Sequence, residues 1–244
     1  MSQIASQQNP RLRSLRRLRG KRERARRGAF LAEGEDLIAA AGRAGRQALE
    51  GYRLTGTTLG GPGFVEVAPA ALASVSTLGS GTRVMAVYEQ LWSEPAGPLC
   101  VYLHGVGDPG NVGTVLRSAE AFGASSVALG PGCADPHSPK AVRASMGAIF
   151  TVPLARAEAV AELPGERIAL VAGAPEALSA PSEPRDGAIT LLVGAEREGL
   201  APEVLAACER TARIPIATES LNAAMAATVA LYEVTRRPSR VPAS

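Results

Sequence analysis

The sequence is poor in the residues that build metal centres, disulfide frameworks and aromatic clusters. Its 244 residues include three cysteines and two histidines, and aromatic residues make up 4%. The cysteines, Cys100, Cys133 and Cys208, are odd in number, widely spaced and without a Cys-x-x-Cys pattern. Because structural zinc sites and disulfide frameworks depend on such patterns, the sequence predicts reduced thiols and no metal site.

Long apolar segments are also lacking. No apolar run approaches the ~20 residues that a membrane-spanning helix requires. The N-terminal segment is basic and lacks the apolar stretch of a secretory signal peptide, so we expect a cytosolic protein with no membrane partner. Apolar residues nevertheless make up 46% of the chain, which is enough to bury the core of one large or two modest domains.

The charges are distributed unevenly along the chain. The net charge is +3, but residues 1–27 carry ten Lys or Arg and one acidic residue, a local charge of +9 that leaves −6 for the rest. Nine of these ten cations are arginines, whose planar guanidinium binds phosphates and stacks on bases. A basic arm of this kind indicates contact with nucleic acid, although a solvated tail explains the charges equally well. The arginines singled out as contacts are Arg16, Arg17, Arg24 and Arg27.

The pattern of apolar residues divides the chain into two domains and a linker. Residues 1–91 predict a small α/β domain, in which Leu12, Leu15 and Leu18 give the basic segment one helical face that can dock. Residues 92–98 contain two prolines and a glycine and are typical of a linker. In residues 99–244, apolar strands alternate with helices, which predicts a parallel α/β sheet covered on both faces. The strands are expected at 99–104, 125–129, 149–154, 167–172, 188–194 and 212–216, and the helices at 111–123, 138–147, 157–163, 202–210 and 220–236.

The chain's most informative stretch begins with an apolar strand at 99–103, continues through a glycine loop at 105–110 and ends in an amphipathic helix. Gly105, Gly107 and Gly110 match the Gly-x-Gly-x-x-Gly pattern of nicotinamide- and flavin-binding proteins. The next strand, however, runs into Gly130-Pro131 and lacks the acidic residue that would hold a ribose. A second interpretation treats these residues as one motif of a different kind: Asp108-Pro109-x-Asn111-x-Gly113-x-x-x-Arg117-x-Ala119.

Two later stretches favour the second interpretation. A strand runs into Gly194-x-Glu196-x-x-Gly199, and Ile214-Pro215-Ile216 is followed by Glu219-Ser220-Leu221-Asn222. Taken alone, each has a structural explanation, because glycines permit turns and Ser220 is a plausible helix N-cap. Taken together and in this order, the three stretches resemble the motifs of the SpoU family of RNA 2'-O-methyltransferases. Residues 28–34, Gly-x-Phe-Leu-x-Glu-Gly, also resemble the opening of the RNA-binding domain, similar to ribosomal proteins, that precedes the catalytic domain in many members.

The resemblance implies a fold, a cofactor and a partner. It implies a deep trefoil knot at the C-terminal end of the second domain and a homodimer formed by the first-motif helix and the last helix. It also implies that S-adenosylmethionine is bound by loops carrying Gly194, Ile214, Ile216, Ser220 and Leu221.

The reaction implied is methyl transfer to a ribose 2'-hydroxyl of a structured RNA, with ribosomal RNA ranked before transfer RNA. Arg117 is the residue expected to stabilise charge on the attacking oxygen, since arginine keeps its proton. Asn111 and Asn222 would orient Arg117 or the ribose, and Glu196 would hold the arginine or its loop. Lys140 and Arg143 share a helix face that can meet phosphate or simply solvent. Two other functions stay open: an RNA-binding protein without catalysis, and a nicotinamide-dependent oxidoreductase.

Overall fold

The computed structural model describes residues 3–78, 81–179 and 187–236. The chain forms two compact units. The first consists of Met1–Leu91 and Asp135–Thr151, and the second of Trp92–Ala134 and Val152–Ser244. Residues 135–151, which the sequence assigned to the second domain, therefore belong to the first unit. Within the described residues, no helix is both long and apolar enough to cross a membrane.

Helices and strands alternate through most of the chain. The helices are α1 (Pro10–Arg17), α2 (Lys21–Arg27), α3 (Glu35–Arg43), α4 (Pro69–Ala73), α5 (Pro109–Ala121), α6 (Pro139–Ala144), α7 (Pro202–Ala206) and α8 (Ala223–Thr235). The strands are β1 (Ala29–Glu33), β2 (Glu50–Leu54), β3 (Val65–Val67), β4 (Val84–Glu89), β5 (Leu99–Leu103), β6 (Ser126–Leu129), β7 (Leu154–Arg156), β8 (Glu166–Leu170), β9 (Ile189–Val193) and β10 (Arg210–Ala212).

The first unit is built on a four-stranded sheet in the order β1-β4-β2-β3. Strand β4 is antiparallel to both β1 and β2, and β2 is parallel to β3. The basic segment forms α1 and α2, and the side chain of Asn9 caps α1 by accepting from the backbone N–H of Arg11 at 2.9 Å. The predicted docking face is confirmed, since three leucines of this segment lie in the core beside the sheet: Leu12, Leu15 and Leu18.

One arginine of the basic segment is part of the interior of the first unit. Arg24 is 3% exposed, and its Nε and Nη2 both donate to Oδ2 of Asp135, at 2.9 and 2.7 Å. Its Nη1 donates to the backbone carbonyls of Leu18 and Arg19. The expected RNA contact is therefore corrected for Arg24, because every nitrogen of its guanidinium is already bonded inside the protein. The ion pair also ties residues 135–151 to α2.

We expect Asp135→Ala to destabilise the first unit by about 3–5 kcal/mol, because the change leaves a buried guanidinium without its counter-charge. The midpoint of urea unfolding, followed by circular dichroism, measures the loss. The matched control is Glu35→Ala, which removes the partner of Arg83 in an exposed ion pair. The control substitution should lower the free energy of unfolding by less than about 1 kcal/mol. Equal shifts in the two variants would show that the Arg24–Asp135 pair contributes no more than a surface pair.

The second unit is built on a six-stranded sheet in the order β10-β8-β9-β5-β6-β7, and all its neighbouring strands are parallel. Every residue of β5, β6 and β9 is buried. Continuous apolar strands of this kind are typical of a parallel sheet covered on both faces. The predicted α/β class with a parallel sheet is confirmed.

Two expected elements of this region are wrong. Residues 149–154 do not form a strand, since Ala148–Phe150 is a 3₁₀ turn and β7 begins at Leu154. Phe150 lies instead in the first unit, with its ring 5.9 Å from that of Phe30 and 4.8 Å from that of Tyr88. The helix expected at 157–163 is a single 3₁₀ turn over Val160–Glu162, which is followed closely by Pro164. The apolar residues at 149–154 correctly indicate a largely buried stretch. They do not predict its 3₁₀ turn, or that Phe150 packs in the core of the first unit.

Candidate active site

The candidate site lies at the carboxyl edge of the parallel sheet, where β5 and β9 are neighbours. Leu103, the last residue of β5, is paired with Val193, the last residue of β9. The loops that follow the two strands therefore leave the sheet side by side. In open α/β sheets this edge is where ligands bind, at the point where the strand order changes direction.

The loop after β5 delivers Asn111 to this edge. Asp108 is the N-cap of α5, and its Oδ1 accepts from the backbone N–H groups of Gly110 and Asn111, at 2.7 and 3.1 Å. Pro109 occupies the first helical turn, where it loses no hydrogen bond. Asp-Pro therefore starts the helix sharply and places Asn111 in its first turn.

Glu196 is held by two asparagine amides. Asn111 and Asn222 each donate from Nδ2 to Oε1 of Glu196, both at 2.6 Å. Asn222 Nδ2 also lies 3.1 Å from Oδ1 of Asn111. Three of the predicted catalytic residues, from three separate stretches, thus form one hydrogen-bonded cluster, which we call the Asn-Glu-Asn cluster.

The start of α8 fixes one of these amides. Asn222 is the N-cap of α8, and its Oδ1 accepts from the N–H groups of Ala224 and Met225, at 2.9 and 3.3 Å. Because the oxygen caps the helix, the amide nitrogen is left to donate to Glu196. The structure therefore corrects the helix cap expected at Ser220, which is Asn222.

The loop after β9 needs both of its glycines. Ala195 and Gly199 exchange two backbone hydrogen bonds, at 3.1 and 3.0 Å, which close the loop. Gly199 has φ +68°, and a Cβ on Gly194 would collide with the backbone of Gly199. The Gly-x-Glu-x-x-Gly spacing is thus what this tight turn requires, and it presents Glu196 beside the two asparagines.

A cavity of about 270 Å³ opens next to the cluster. All five residues predicted to bind the cofactor line it: Gly194, Ile214, Ile216, Ser220 and Leu221. Glu196 lines it as well. Sequence reasoning missed Leu170, the last residue of β8, and Val171 and Ala172, which follow it. The predicted strand at 167–172 could have indicated these residues, because its carboxyl end lies at the same edge of the parallel sheet as the site. None of the three glycines of the Gly-x-Gly-x-x-Gly pattern is among the described residues that line this cavity.

Arg117 lies apart from the cluster. It is exposed on α5, six residues beyond Asn111 and therefore about 9 Å farther along the helix axis. Among the described residues its side chain has no hydrogen bond or ion pair. Helix α5 packs on α8, where the hydroxyls of Ser118 and Thr228 are 2.6 Å apart. The fourth predicted catalytic residue is thus carried by the same helix as Asn111 but stands outside the cavity of its own chain.

Two groups near the edge of the sheet are kept neutral by burial. Burial raises the pKa of Tyr102 to about 12, and its hydroxyl lies 3.2 Å from Nδ1 of His104. Burial likewise raises the pKa of the Cys133 thiol, which donates to the carbonyl of Leu103. Neither group ionises near neutral pH, so neither offers a strong base or nucleophile. Across the described ranges, no group of His, Cys, Asp and Glu has the arrangement of a metal site.

The predicted RNA contacts all lie in the first unit, and they differ in how exposed their side chains are and in the bonds that they already make within the protein. Arg16 donates to the Ser74 hydroxyl and to the Gln7 carbonyl, and Arg27 forms an ion pair with Glu50 at 2.7 Å. The exposed side chains among the predicted contacts are those of Arg17, Lys140 and Arg143.

Residues 98–232 match the model of the SpoU rRNA methylase family. The chain belongs to this family. An uncharacterized tRNA/rRNA methyltransferase of Mycobacterium tuberculosis is 37% identical over 180 residues, which are 67% of this chain. That match spans 55% of the mycobacterial protein, so the chain spans about half the length of this relative.

Two other family members match over nearly their whole length. The 23S rRNA (guanosine(2553)-2'-O)-methyltransferase RlmP of Bacillus subtilis is 30% identical over 250 residues, covering 96% of this chain and 99% of that protein. The crystal structure of an AdoMet-bound rRNA methyltransferase from Sinorhizobium meliloti has a TM-score of 0.82 and 29% identity, covering 95% and 96% of the two chains. The SpoU motifs proposed from the sequence therefore coincide with the Asn-Glu-Asn cluster and its cavity.

Proposed function

We propose that this chain transfers a methyl group from S-adenosylmethionine to a ribose 2'-hydroxyl of ribosomal RNA. The observation that carries the proposal is the convergence of the three motifs on one site: Asn111, Glu196 and Asn222 bond to one another beside a cavity at the carboxyl edge of the sheet. The family match and the 23S rRNA 2'-O-methyltransferase of Bacillus subtilis support the choice of reaction and substrate.

The cavity suits S-adenosylmethionine. Ile214, Ile216 and Leu221 supply apolar surface for an adenine ring, and Gly194 and Ser220 bring backbone polar groups to the wall. Glu196 and Glu198 line the same space together with Arg197, so the wall offers charges of both signs to a cofactor that carries both an anionic carboxylate and cationic groups. When bound, the cofactor supplies an electrophilic methyl group on a sulfonium. The AdoMet-bound Sinorhizobium meliloti structure supports this assignment.

In the proposed reaction, the ribose oxygen forms a bond to the methyl carbon as the sulfur–carbon bond breaks, and the hydroxyl proton is lost to solvent. Negative charge develops on the oxygen as the proton leaves. We assign Arg117 to stabilise this charge and to hold the neighbouring phosphate, since a guanidinium stays protonated with a pKa above about 12. The Asn-Glu-Asn cluster fixes the edge of the cavity against which the ribose would be aligned.

The exposed position of Arg117 fits an active site completed by a second copy of the chain. Helix α8 exposes three apolar side chains at helical spacing: Met225, Val229 and Tyr232, at 61%, 40% and 55%. The Tyr232 ring also contacts that of Phe122, just beyond α5. We propose that α5 and α8 form a homodimer interface, through which each subunit lends Arg117 to its partner. The trefoil knot implied by the family resemblance remains part of the proposal.

The first unit is proposed to select the RNA. Helices α1 and α2 concentrate positive charge on it, and Arg17, Lys140 and Arg143 are exposed. We retain the proposed likeness of residues 1–91 to an RNA-binding ribosomal protein and the linker at 92–98. The methyltransferase domain predicted at 99–244 is retained without residues 135–151, which belong to the first unit. Action on ribosomal RNA is also the reason to retain the proposed cytosolic location.

Calorimetric titration tests the cofactor directly. We expect the purified protein to bind S-adenosylmethionine and not NADH, because the described residues that line the cavity include none of the three glycines of the Gly-x-Gly-x-x-Gly pattern. Incubation with protein-free 23S rRNA and the labelled methyl donor should then leave a 2'-O-methyl group, located by mapping the nucleotides that resist alkaline cleavage. Binding of NADH alone would restore the oxidoreductase hypothesis. Binding of RNA without methylation would favour a non-catalytic RNA-binding protein.

A further inference from the structure

The first unit contains a second and larger cavity, of about 910 Å³, that the methyl transfer does not use. It lies between α1, α3, the start of β2 and the loop before β3, and we call it the α1–α3 cleft. The residues on which the inference depends are Arg11, Arg46, Gln47, Ala48, Leu49 and Glu50. We infer that the α1–α3 cleft binds an unpaired nucleotide of the RNA substrate. This inference rests on the proposed function and adds the place where the substrate is recognised.

The size of the cleft favours a ligand over a packing defect. Protein interiors rarely contain voids much larger than a water molecule. Cavities of about 300–1000 Å³ are those that hold small molecules or parts of larger ones. The α1–α3 cleft has more than three times the volume of the proposed cofactor cavity. Glycines 51, 60 and 63 line it and bring backbone close to the space.

The lining offers hydrogen-bonding groups of both kinds. Arg11, Arg46 and Gln47 can donate, and the carboxylate of Glu50 and the amide oxygen of Gln47 can accept. A site for phosphate alone would need donors only. The edge of a nucleobase presents donors and acceptors together, and RNA sequence is read mainly on unpaired bases. The mixed lining therefore fits a base with its phosphate better than a free anion.

The acceptor in the cleft is held in place. Oε1 of Glu50 accepts from Arg27 at 2.7 Å, and Oε2 accepts from the Tyr52 hydroxyl at 2.6 Å. Burial, followed by the hydrogen bond to Glu50, raises the pKa of Tyr52, so its hydroxyl remains a donor at neutral pH. Because the Arg27 charge offsets that of Glu50, the carboxylate does not repel an approaching phosphate strongly. This arrangement gives Arg27 an indirect part in RNA recognition, as a positioning residue for Glu50.

The rim of the cleft carries a cation and an apolar side chain. Arg11 is exposed on α1, and its charge acts on Tyr52, which lines the same cleft. Leu49 is 58% exposed, which is unusual for a large apolar side chain. A guanidinium beside an apolar surface suits the two parts of a nucleotide, its phosphate and the face of its base.

Filling the cleft and removing its cation test the inference separately. The variants are Ala48→Trp, which occupies the space without changing charge, and Arg11→Gln. Their matched controls are Ala39→Trp, on the exposed face of α3, and Arg13→Gln, which lies two residues after Arg11 on α1 and outside the lining. The probe is protein-free 23S rRNA in a filter-binding assay at fixed salt. Circular dichroism melting identifies any variant that fails to fold.

We expect Ala48→Trp and Arg11→Gln each to raise the Kd for the rRNA about tenfold, the size of one lost stacking or phosphate contact. The controls should change it less than about threefold. In methylation assays, KM for rRNA should rise with kcat unchanged, and the affinity for S-adenosylmethionine should not change.

Equal effects of Arg11→Gln and Arg13→Gln, together with wild-type binding by Ala48→Trp, would overturn the inference in favour of general charge attraction. Wild-type rRNA binding by all four variants would overturn it as well and would make the cleft a site for another partner. If the unaltered protein binds rRNA but does not methylate it, the proposed function fails, while the Kd comparison still tests the cleft. If Ala48→Trp does not fold, Leu49→Ala takes its place with the same expected rise in Kd.

Discussion

Arg117→Ala reduces methyl transfer by about 10²- to 10³-fold, the usual loss when one donor that stabilises a developing anion is removed. Binding of S-adenosylmethionine should stay unchanged, because Arg117 is assigned to the ribose oxygen and the neighbouring phosphate rather than to the cofactor. Arg117→Lys keeps the charge but loses the planar fork, so it should recover only part of the rate. Single-turnover methylation and calorimetry on the same preparations measure the two effects. Weakened cofactor binding that accounts for the whole loss of rate would remove Arg117 from the chemistry.

Mixing two impaired variants tests whether Arg117 acts across a dimer. Arg117→Ala has an intact cavity and no arginine, whereas Asn222→Asp has the arginine and an altered cavity. If each subunit lends its arginine, a mixed dimer contains one complete site, and activity should rise above that of either variant after the two proteins are unfolded and refolded together. If Arg117 serves its own chain, no site in the mixture is complete and activity stays at the low level of the separate variants. Sedimentation of the unaltered protein gives the oligomeric state independently.

Asn222→Asp is expected to lower both cofactor affinity and methylation at neutral pH by about tenfold or more, because hydrogen bonds to a charged group are worth about 1.5–3 kcal/mol. The carboxylate of the variant can still accept from the N–H groups of Ala224 and Met225, so the helix cap survives. It cannot donate to Glu196. The carboxylate of the variant and that of Glu196 would therefore face each other where the Asn222 amide donates to Glu196 at 2.6 Å in the unaltered protein. Helix α8 should therefore keep its stability while the site loses its geometry.

The pH dependence of this variant follows from the same contact. Two carboxylates in close contact raise the pKa of one of them, so the pair binds a proton at a higher pH than an isolated carboxyl does. A protonated carboxyl can donate again, and activity relative to the unaltered protein should rise as the pH falls. The control is Asn222→Ser, which keeps the cap and adds no charge, so its relative activity should not rise in this way. Wild-type activity of Asn222→Asp at neutral pH would show that the Asn-Glu-Asn cluster is not needed.

The three motifs were grouped by their resemblance to the SpoU family, and the parallel sheet adds only that Asn111 and Glu196 follow strands ending at the same edge. The structure shows that β5 and β9 are neighbours, which lets the two residues meet although 85 residues separate them. The cofactor-binding residues were also named from the resemblance, and they line one cavity. Identity of the helix cap was harder to predict, since Ser220 and Asn222 are both good cap residues and the choice depends on which one also bonds to Glu196.

Other features depend on contacts that leave no local signal. Nothing near Arg24 distinguishes it from its neighbours, and its partner Asp135 is 111 residues away. The burial of Phe150 was predicted, but its position beside Phe30 and Tyr88 follows from the tertiary fold. The separation of Arg117 from the Asn-Glu-Asn cluster was likewise not predicted, because the spacing along one helix does not show how far a residue lies from loops formed elsewhere in the chain.

The composition of the first unit has a consequence for how the protein folds during synthesis. Residues 1–91 leave the ribosome first, but the unit also needs Asp135–Thr151, which supply α6, the counter-ion of Arg24 and the Phe150 ring. The Arg24 guanidinium therefore lacks its counter-ion Asp135 while the first strands of the second unit are being synthesised. The first unit can therefore be completed only after residue 151 has been made, when residues 92–134 of the second unit have already been made and residues 152–244 have not.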